Sequence, residues 1–258
     1  MKKRIKSLMP DFFILQIIKY RRWKFKRREK KSPDFLKRKS FYSKFLGVND
    51  MYFDIGANFG NRIAPINSLK LKTIVAVEPQ EKCCEVLREN FQNIIVLQMG
   101  MGSSCTEKTF YIADDPVLSS FSPNFIDSTK DTRFIGHTWQ EGTTVKVATL
   151  DSLILEYGIP KFIKIDVEGY EHEVLKGLSY PVKYISFEYT VPELEQNLLG
   201  SCSRLMEIAS YTFNYSVGES MALEFNDWQN FDEFMVTVNS NEFKKTGFGD
   251  IYVSLTHK

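Results

Sequence analysis

The ten residues Met51–Gly60, MYFDIGANFG, constrain the fold more than any other stretch of the chain. A short apolar run ends on Asp54, and Gly56 and Gly60 follow at fixed spacing. A buried strand that runs into a glycine turn is the opening of a βα unit, and such turns hold nucleotide-like ligands. In a dinucleotide loop, G-x-G-x-x-G, the second glycine lets a pyrophosphate approach the backbone. Asn58 stands at that place here, and Asp54 would repel phosphate. An acid suits a cationic ligand instead. S-adenosyl-L-methionine has no phosphate and carries a sulfonium and an ammonium group, so Asp54, Gly56, Asn58 and Gly60 fit it, with Asp54 acting on the ammonium side directly or through water. Glu78 lies 18 residues beyond Gly60 at the end of the next apolar run, where a carboxylate accepts hydrogen bonds from ribose hydroxyls. The bland alternative is a glycine turn with no ligand.

The rest of the chain alternates in the same way. Apolar runs at Met51–Ile55, Thr73–Glu78, Ile94–Met99, Phe162–Asp166 and Tyr184–Glu188 read as strands. Glu81–Phe91, Ser152–Tyr157 and His172–Leu178 have helical period, and Trp228–Val236 reads as a helix capped by Asp227. Residues 249–255 read as a closing strand, and 143–148 as another. Alternating strands and helices argue for a doubly wound, parallel α/β sheet. Pro65 kinks or delays the first helix. Residues 113–142 are polar and weakly periodic, which suggests a functional loop or lid.

Length and composition permit one full α/β domain: 258 residues, 43% hydrophobic and 26% charged. The net charge of +2 conceals an asymmetry, because residues 1–31 hold thirteen Lys/Arg against Asp11 and Glu29. That arm carries +11 and the remainder −9, so nucleic acid is not expected as a partner of the body. The arm's apolar run, Phe12–Ile18, is too short to span a bilayer, and no small-residue cleavage site follows it. Trp23 and Phe25 among Lys/Arg suit either peripheral contact with an anionic membrane or packing on the body. KSPDF at 31–35 reads as a linker, which places the start of the body between Phe41 and Met51. The expected division is an arm over 1–46 and a catalytic domain over 47–258. Cys83, Cys84, Cys105 and Cys202 match no zinc spacing and read as reduced thiols of a cytoplasmic protein, located at the inner face of a membrane if the arm binds lipid.

FDIGANFG, VAVEPQ, ATLDSL and FIKIDVEGYEHEVLKG, in this order and at these separations, resemble the FkbM-type methyltransferases, from about Gly47 to Leu255. The resemblance implies a class I, Rossmann-like S-adenosylmethionine-dependent methyltransferase with a doubly wound, mostly parallel seven-stranded sheet whose last strand is antiparallel. It implies that Asp54, Gly56, Asn58 and Gly60 form the first cofactor loop and that Glu78 holds the ribose. It also puts Gln80 near the adenosine and Gln98 at the adenine edge.

Methyl transfer to an alcohol needs in-line alignment and a base. KIDVEGYEH supplies Asp166, Glu168, Glu171 and His172 at a strand end, where ligands of such sheets bind, and Glu188 ends the neighbouring strand. Asp166 is expected at the boundary of cofactor and acceptor, with Glu168, Glu188 and His137 as further catalytic candidates. Glu171 reads as an acid in the first turn of a helix, and His172 as a packing residue or base. No metal is assigned, although Asp166, Glu168 and Glu188 could together hold a divalent cation. The expected activity is O-methylation of a small molecule, sugar or glycolipid hydroxyl. The alternatives are a nicotinamide-dependent oxidoreductase and a non-catalytic, membrane-associated module of the same fold. Residues 113–142 and the C-terminal third are expected to shape the acceptor pocket.

Overall fold

The computed structural model describes residues 32–256. The basic arm and its membrane or packing role lie outside the described residues. Helix α1 (Pro33–Tyr42) is followed by β1 (Met51–Ile55), α2 (Ile63–Asn67), β2 (Thr73–Val77), α3 (Glu81–Asn90) and β3 (Ile95–Leu97). A small insertion follows, with β4 (Gly100–Met101), β5 (Thr106–Ala113), α4 (Pro123–Thr129) and β6 (Trp139–Ala148). The main sheet resumes through α5 (Leu150–Tyr157), β7 (Phe162–Ile165), α6 (Glu171–Lys176), β8 (Tyr184–Thr190), α7 (Glu195–Ile208) and β9 (Tyr211–Val217). Helices α8 (Phe231–Val238) and α9 (Asn241–Lys244) lead to β10 (Phe248–Leu255).

The seven-stranded sheet has the order β3-β2-β1-β7-β8-β10-β9. β3, β2, β1, β7 and β8 pair in parallel, and β10 is antiparallel to both β8 and β9. The strand order reverses between β1 and β7, so their carboxyl ends open a crevice, the usual ligand position in a doubly wound sheet. A three-stranded sheet, β4-β6-β5, sits beside it.

The two faces of the main sheet differ in chemistry. Phe53, Ile55, Ile163, Ile165, Ile185 and Phe187 point to one face and pack with Leu150, Leu175, Leu198 and Leu205 of the crossover helices. Alternation puts Tyr52 and Asp54, Phe162 and Lys164, and Tyr184 and Ser186 on the other face. There the lower row is aromatic and is covered by Phe41, Tyr42 and Phe45. The ring centroids of Phe41 and Tyr252, and of Phe45 and Tyr184, are each 5.2 Å apart, in edge-on geometry.

This covering corrects the expected boundary. KSPDF is not a linker: the Ser32 side chain accepts from Phe35 N–H, and Pro33 opens α1, where its missing N–H costs nothing. Residues 33–46 therefore belong to the packed body. Three other expectations shift. The 113–142 stretch is a built connection, with a 3-10 turn at Pro116–Leu118 and α4 capped by Ser122. α2 is only five residues long with Pro65 buried inside it. The penultimate helical region starts at Phe231 under a capping box between Asn230 and Glu233, not at Trp228 under Asp227. No element is read from the sequence at α1, β4, β5, α4, α7, β9 or α9. Among the described residues no helix is long and apolar enough to cross a membrane, and all four cysteines are free.

Candidate active site

Gly56 follows β1 with φ +82, and its N–H donates to Val77 O at 2.9 Å. A Cβ built there would lie 1.7 Å from the Asp166 carbonyl oxygen, so only glycine lets the β1 and β7 turns approach this closely. Asn58 takes the left-handed conformation at φ +46, and its N–H donates to Glu78 Oε2 at 2.8 Å. Glu78 Oε1 accepts from Gln80 N–H at 2.9 Å, and the Gln80 amide donates to Pro116 O at 2.9 Å. The carboxylate thus ties the first loop to the second strand and keeps lone pairs for a ligand's hydroxyls. Burial pushes its pKa up to about 6, against the pull of those N–H groups.

A crevice with about 950 Å³ of open space spans these loops. Glu78, Gln80, Met99 and Val117 line it on the β2–β3 side, and Arg38, Arg62 and Glu219 line the other. Gly56, Asn58, Asp166 and Glu168 line the space between. Five expected contacts are not among the lining residues; one is Glu188, which stands behind Glu168 rather than on the crevice wall. Gly60 serves packing: its Cβ would meet the Phe91 and Leu87 side chains at 2.7 and 2.8 Å. Gln98 is exposed, and Met99 and Gly100 face the crevice in its place. His137 is exposed at the insertion's rim, with Nδ1 2.9 Å from Asp114 Oδ1.

Asp54 is the fifth. It is 1% exposed and lies beneath the loop rather than on the crevice surface. Its Oδ1 accepts from Tyr52 OH at 3.1 Å, and its Oδ2 has no hydrogen-bond partner. Burial pushes its pKa up to about 6, although Lys164, its register neighbour on β7, pulls it down.

Lys164 is a feature the sequence reading passed over. It is 1% exposed, with Nζ 2.5 Å from Asp166 Oδ2 and 3.9 Å from Asp250 Oδ1. Its position two residues before Asp166, inside an apolar run, was the available signal, because period-2 alternation puts both on one face. Burial disfavours the ammonium, but Asp166 and Asp250 outweigh it and raise its pKa. Burial likewise works against the Asp166 carboxylate, yet Lys164 beside it holds it below its ordinary range. Arg62 extends the network, pairing with Glu219 at 2.6 Å and approaching Asp250 at 3.9 Å. Arg38 reaches the same Glu219 at 3.1 Å.

Asp166, Glu168 and Glu188 come together as the motif implied, with one carboxyl oxygen of each within 4.8 Å of the others. Burial, and then the neighbouring carboxylates, push Glu168 and Glu188 well above the usual range. Ionisation is thus favoured at Asp166, and Glu168 and Glu188 lose their protons less readily than exposed glutamates. The same three oxygens are those raised for a divalent cation, and Lys164 already gives Asp166 a counter-charge. Glu171 and His172 stand apart. The Glu171 carboxylate turns back to Val167 N–H and Gly169 N–H, both at 3.1 Å, and His172 packs on Gly200.

Residues 54–245 match the model of the methyltransferase FkbM domain. The chain belongs to the FkbM methyltransferase family. It is 30% identical over 145 residues to the hexuronic acid methyltransferase AglP of Haloferax volcanii, an overlap of 54% of each chain. It therefore spans about half the length of that curated relative. A crystal structure of an FkbM methyltransferase from Methylobacillus flagellatus KT covers 81% of this chain, and 44% of its own, at TM-score 0.50 and 15% identity. The likeness is one of fold, the class I methyltransferase sheet with its antiparallel last strand in sequence, β10.

Proposed function

We propose that this FkbM-family protein is an S-adenosylmethionine-dependent O-methyltransferase that acts on a saccharide hydroxyl. The observation that carries the reading is the crevice that joins the Gly56–Asn58–Glu78 cradle to Asp166 and Glu168 beyond the end of β7. The cradle suits the cofactor: the Glu78 carboxylate faces it, and Asn58 stands where a pyrophosphate would need glycine. Glu78 would hold the ribose hydroxyls and Met99 and Val117 the adenine, with the methionine portion along Gly56 and Asn58. Bound there, S-adenosylmethionine supplies an electrophilic methyl group.

The protein's own part is alignment and proton removal. In its ionised form, after its own proton has passed to solvent, Glu168 takes the acceptor's hydroxyl proton; its raised pKa makes that carboxylate a stronger base than an exposed glutamate and makes transfer rise with pH. Glu188 adjoins it as the second proton-holding group. Asp166, neutralised by Lys164, orients at the crevice wall without competing for the proton. The relative named for hexuronic acid makes glycosides of uronic acids the first acceptors to try. Arg38 and Arg62 on the far wall are compatible with an acidic sugar.

The test is calorimetric binding of S-adenosylhomocysteine and NADH to the wild type and to Glu78→Gln, followed by methyl transfer to methyl glucuronoside and to its neutral counterpart. S-adenosylhomocysteine is expected to bind, and NADH not. The substitution turns an amide N–H₂ toward a backbone donor and removes a charged acceptor, which should weaken binding about 10-fold or more. Binding of NADH alone, or transfer to amines and to no hydroxyl, would overturn the proposal.

A further inference from the structure

Glu168 lines the crevice from an unusual backbone. Its φ is +52, and Gly169 follows at +82. Two left-handed residues in succession are expected of glycine or asparagine, and a glutamate holds that form only when its surroundings impose it. Two contacts impose it here. From the insertion, Ser120 Oγ donates to the Glu168 carbonyl at 2.6 Å. From α6, a single oxygen, Glu171 Oε1, accepts from both Val167 N–H and Gly169 N–H at 3.1 Å, bracketing Glu168.

The Glu171 carboxylate is itself fixed. It is 3% exposed, and its Oε2 accepts from Asn197 Nδ2 at 2.9 Å. The same Asn197 uses Oδ1 to accept from His172 N–H at 3.0 Å, so its amide cannot turn over without facing donor to donor. Every polar atom of the chain from Asn197 through Glu171 to the turn is committed. Glu171 is not placed to meet a ligand and does not line the crevice.

We infer that Glu171 is a positioning residue for Glu168: oriented by Asn197 of α7, it holds residues 167–169 in the left-handed turn that aims the Glu168 carboxyl group at the acceptor. The catalytic part of this inference rests on Glu168 being the base. The clamp also couples α7 to the reacting end, since a displacement of Asn197 reaches Glu168 through two hydrogen bonds and no bulk motion.

The full-length chain tests this through an exchange of partners. Glu171→Gln keeps one oxygen for the turn but sets its amide against the amide of Asn197. Adding Asn197→Asp restores all four hydrogen bonds with the donor and acceptor reversed between the two positions. Two readouts are taken: amide hydrogen exchange over residues 163–172, and steady-state methyl transfer to methyl glucuronoside. In Glu171→Gln, exchange at Val167 and Gly169 should quicken at least about 10-fold. With the base displaced, kcat should fall by about 30- to 100-fold while KM for the cofactor stays within about 3-fold. The double exchange should return both readouts to near wild type. Combining Glu171→Gln with Glu168→Gln should cost no more than Glu168→Gln alone, because one substitution acts through the other. Asn197→Ala removes only the orienting donor and should give a milder form of the same pattern.

Unchanged exchange in both Glu171→Gln and Asn197→Ala would overturn the clamp. A double exchange that fails to recover, or losses that add fully in the Glu168→Gln background, would overturn positioning through Glu168. Full activity of Glu168→Gln alone would instead overturn the base reading, and the exchange pattern would still judge the clamp by itself.

Discussion

Lys164→Met is the substitution that most directly tests how the site is built. Methionine nearly matches the volume of lysine, so the change is one of charge. It removes the cation 2.5 Å from Asp166 Oδ2 and 3.9 Å from Asp250 Oδ1, at a position 1% exposed. Breaking a buried pair by deleting one partner costs about 3–5 kcal/mol, because the other charge is left uncompensated. In a domain of this size that lowers Tm by roughly 10 °C. The deficit should depend on pH, and the sign follows from the acids. Burial already raises Asp54 from 3.8 to about 6, and Lys164 above all, with Arg62 and a Glu188 hydrogen bond, holds Asp166 below its ordinary range. Without Lys164 both rise. An acid whose folded pKa exceeds its unfolded value stabilises below the unfolded pKa, and that stability is lost as pH climbs through the folded value. The variant should therefore be closest to wild type near pH 5 and furthest from it near pH 8. At about 1.4 kcal/mol per pH unit of upward shift, the difference between the two conditions should be roughly 2–3 kcal/mol. Urea denaturation at pH 5 and pH 8, followed by circular dichroism, measures it directly. A deficit below about 1 kcal/mol, or one equal at both pH values, would refute the argument that Lys164 is the counter-charge of this sheet face.

Two further outcomes follow from the same geometry. Asp54→Asn removes an acid whose pKa is raised from 3.8 to about 6, so the wild type loses up to about 3 kcal/mol as pH rises between those values and the variant does not. The variant should match wild type near pH 4 and exceed it above pH 6 in urea titrations, and lower stability at pH 7.5 would contradict the assignment. Phe45→Ala deletes a ring that is 7% exposed and contacts Phe162, Tyr184 and Tyr252, at an expected cost of about 3–5 kcal/mol. A loss below about 1 kcal/mol would return residues 33–46 to the status of a dispensable linker.

The local elements were legible because they are encoded locally. MYFDI, TIVAV, FIKID and YISFE are short, largely apolar runs bounded by turn signals, as buried strands are, and each lies within about two residues of the observed strand. The left-handed turn at Gly56 and the strand-end carboxylate of Glu78 were visible because both are stated within a few residues of sequence. Asp166, Glu168 and Glu188 could be grouped because the ends of adjacent parallel strands lie side by side.

What the sequence left open was set by side-chain direction and by contacts across the sheet. Asp54 was expected at the crevice, yet its place two residues after Tyr52 turns it onto the aromatic face, beside Lys164. Gln98 and Met99 exchange roles through the same one-residue alternation. The docking of α1, the Arg62–Glu219–Arg38 cluster and the Glu171–Asn197 clamp join segments far apart in the chain. No local pattern states such pairings. They exist because the crossovers bring those segments to one face, where burial penalises any charge or amide without a partner. The sequence alone determined the alternating strands, the glycine turn and the acids at the strand ends. Only the tertiary structure decided which acids reach the crevice, which have their ionisation disfavoured by burial, and which hydrogen-bond the turn beside another.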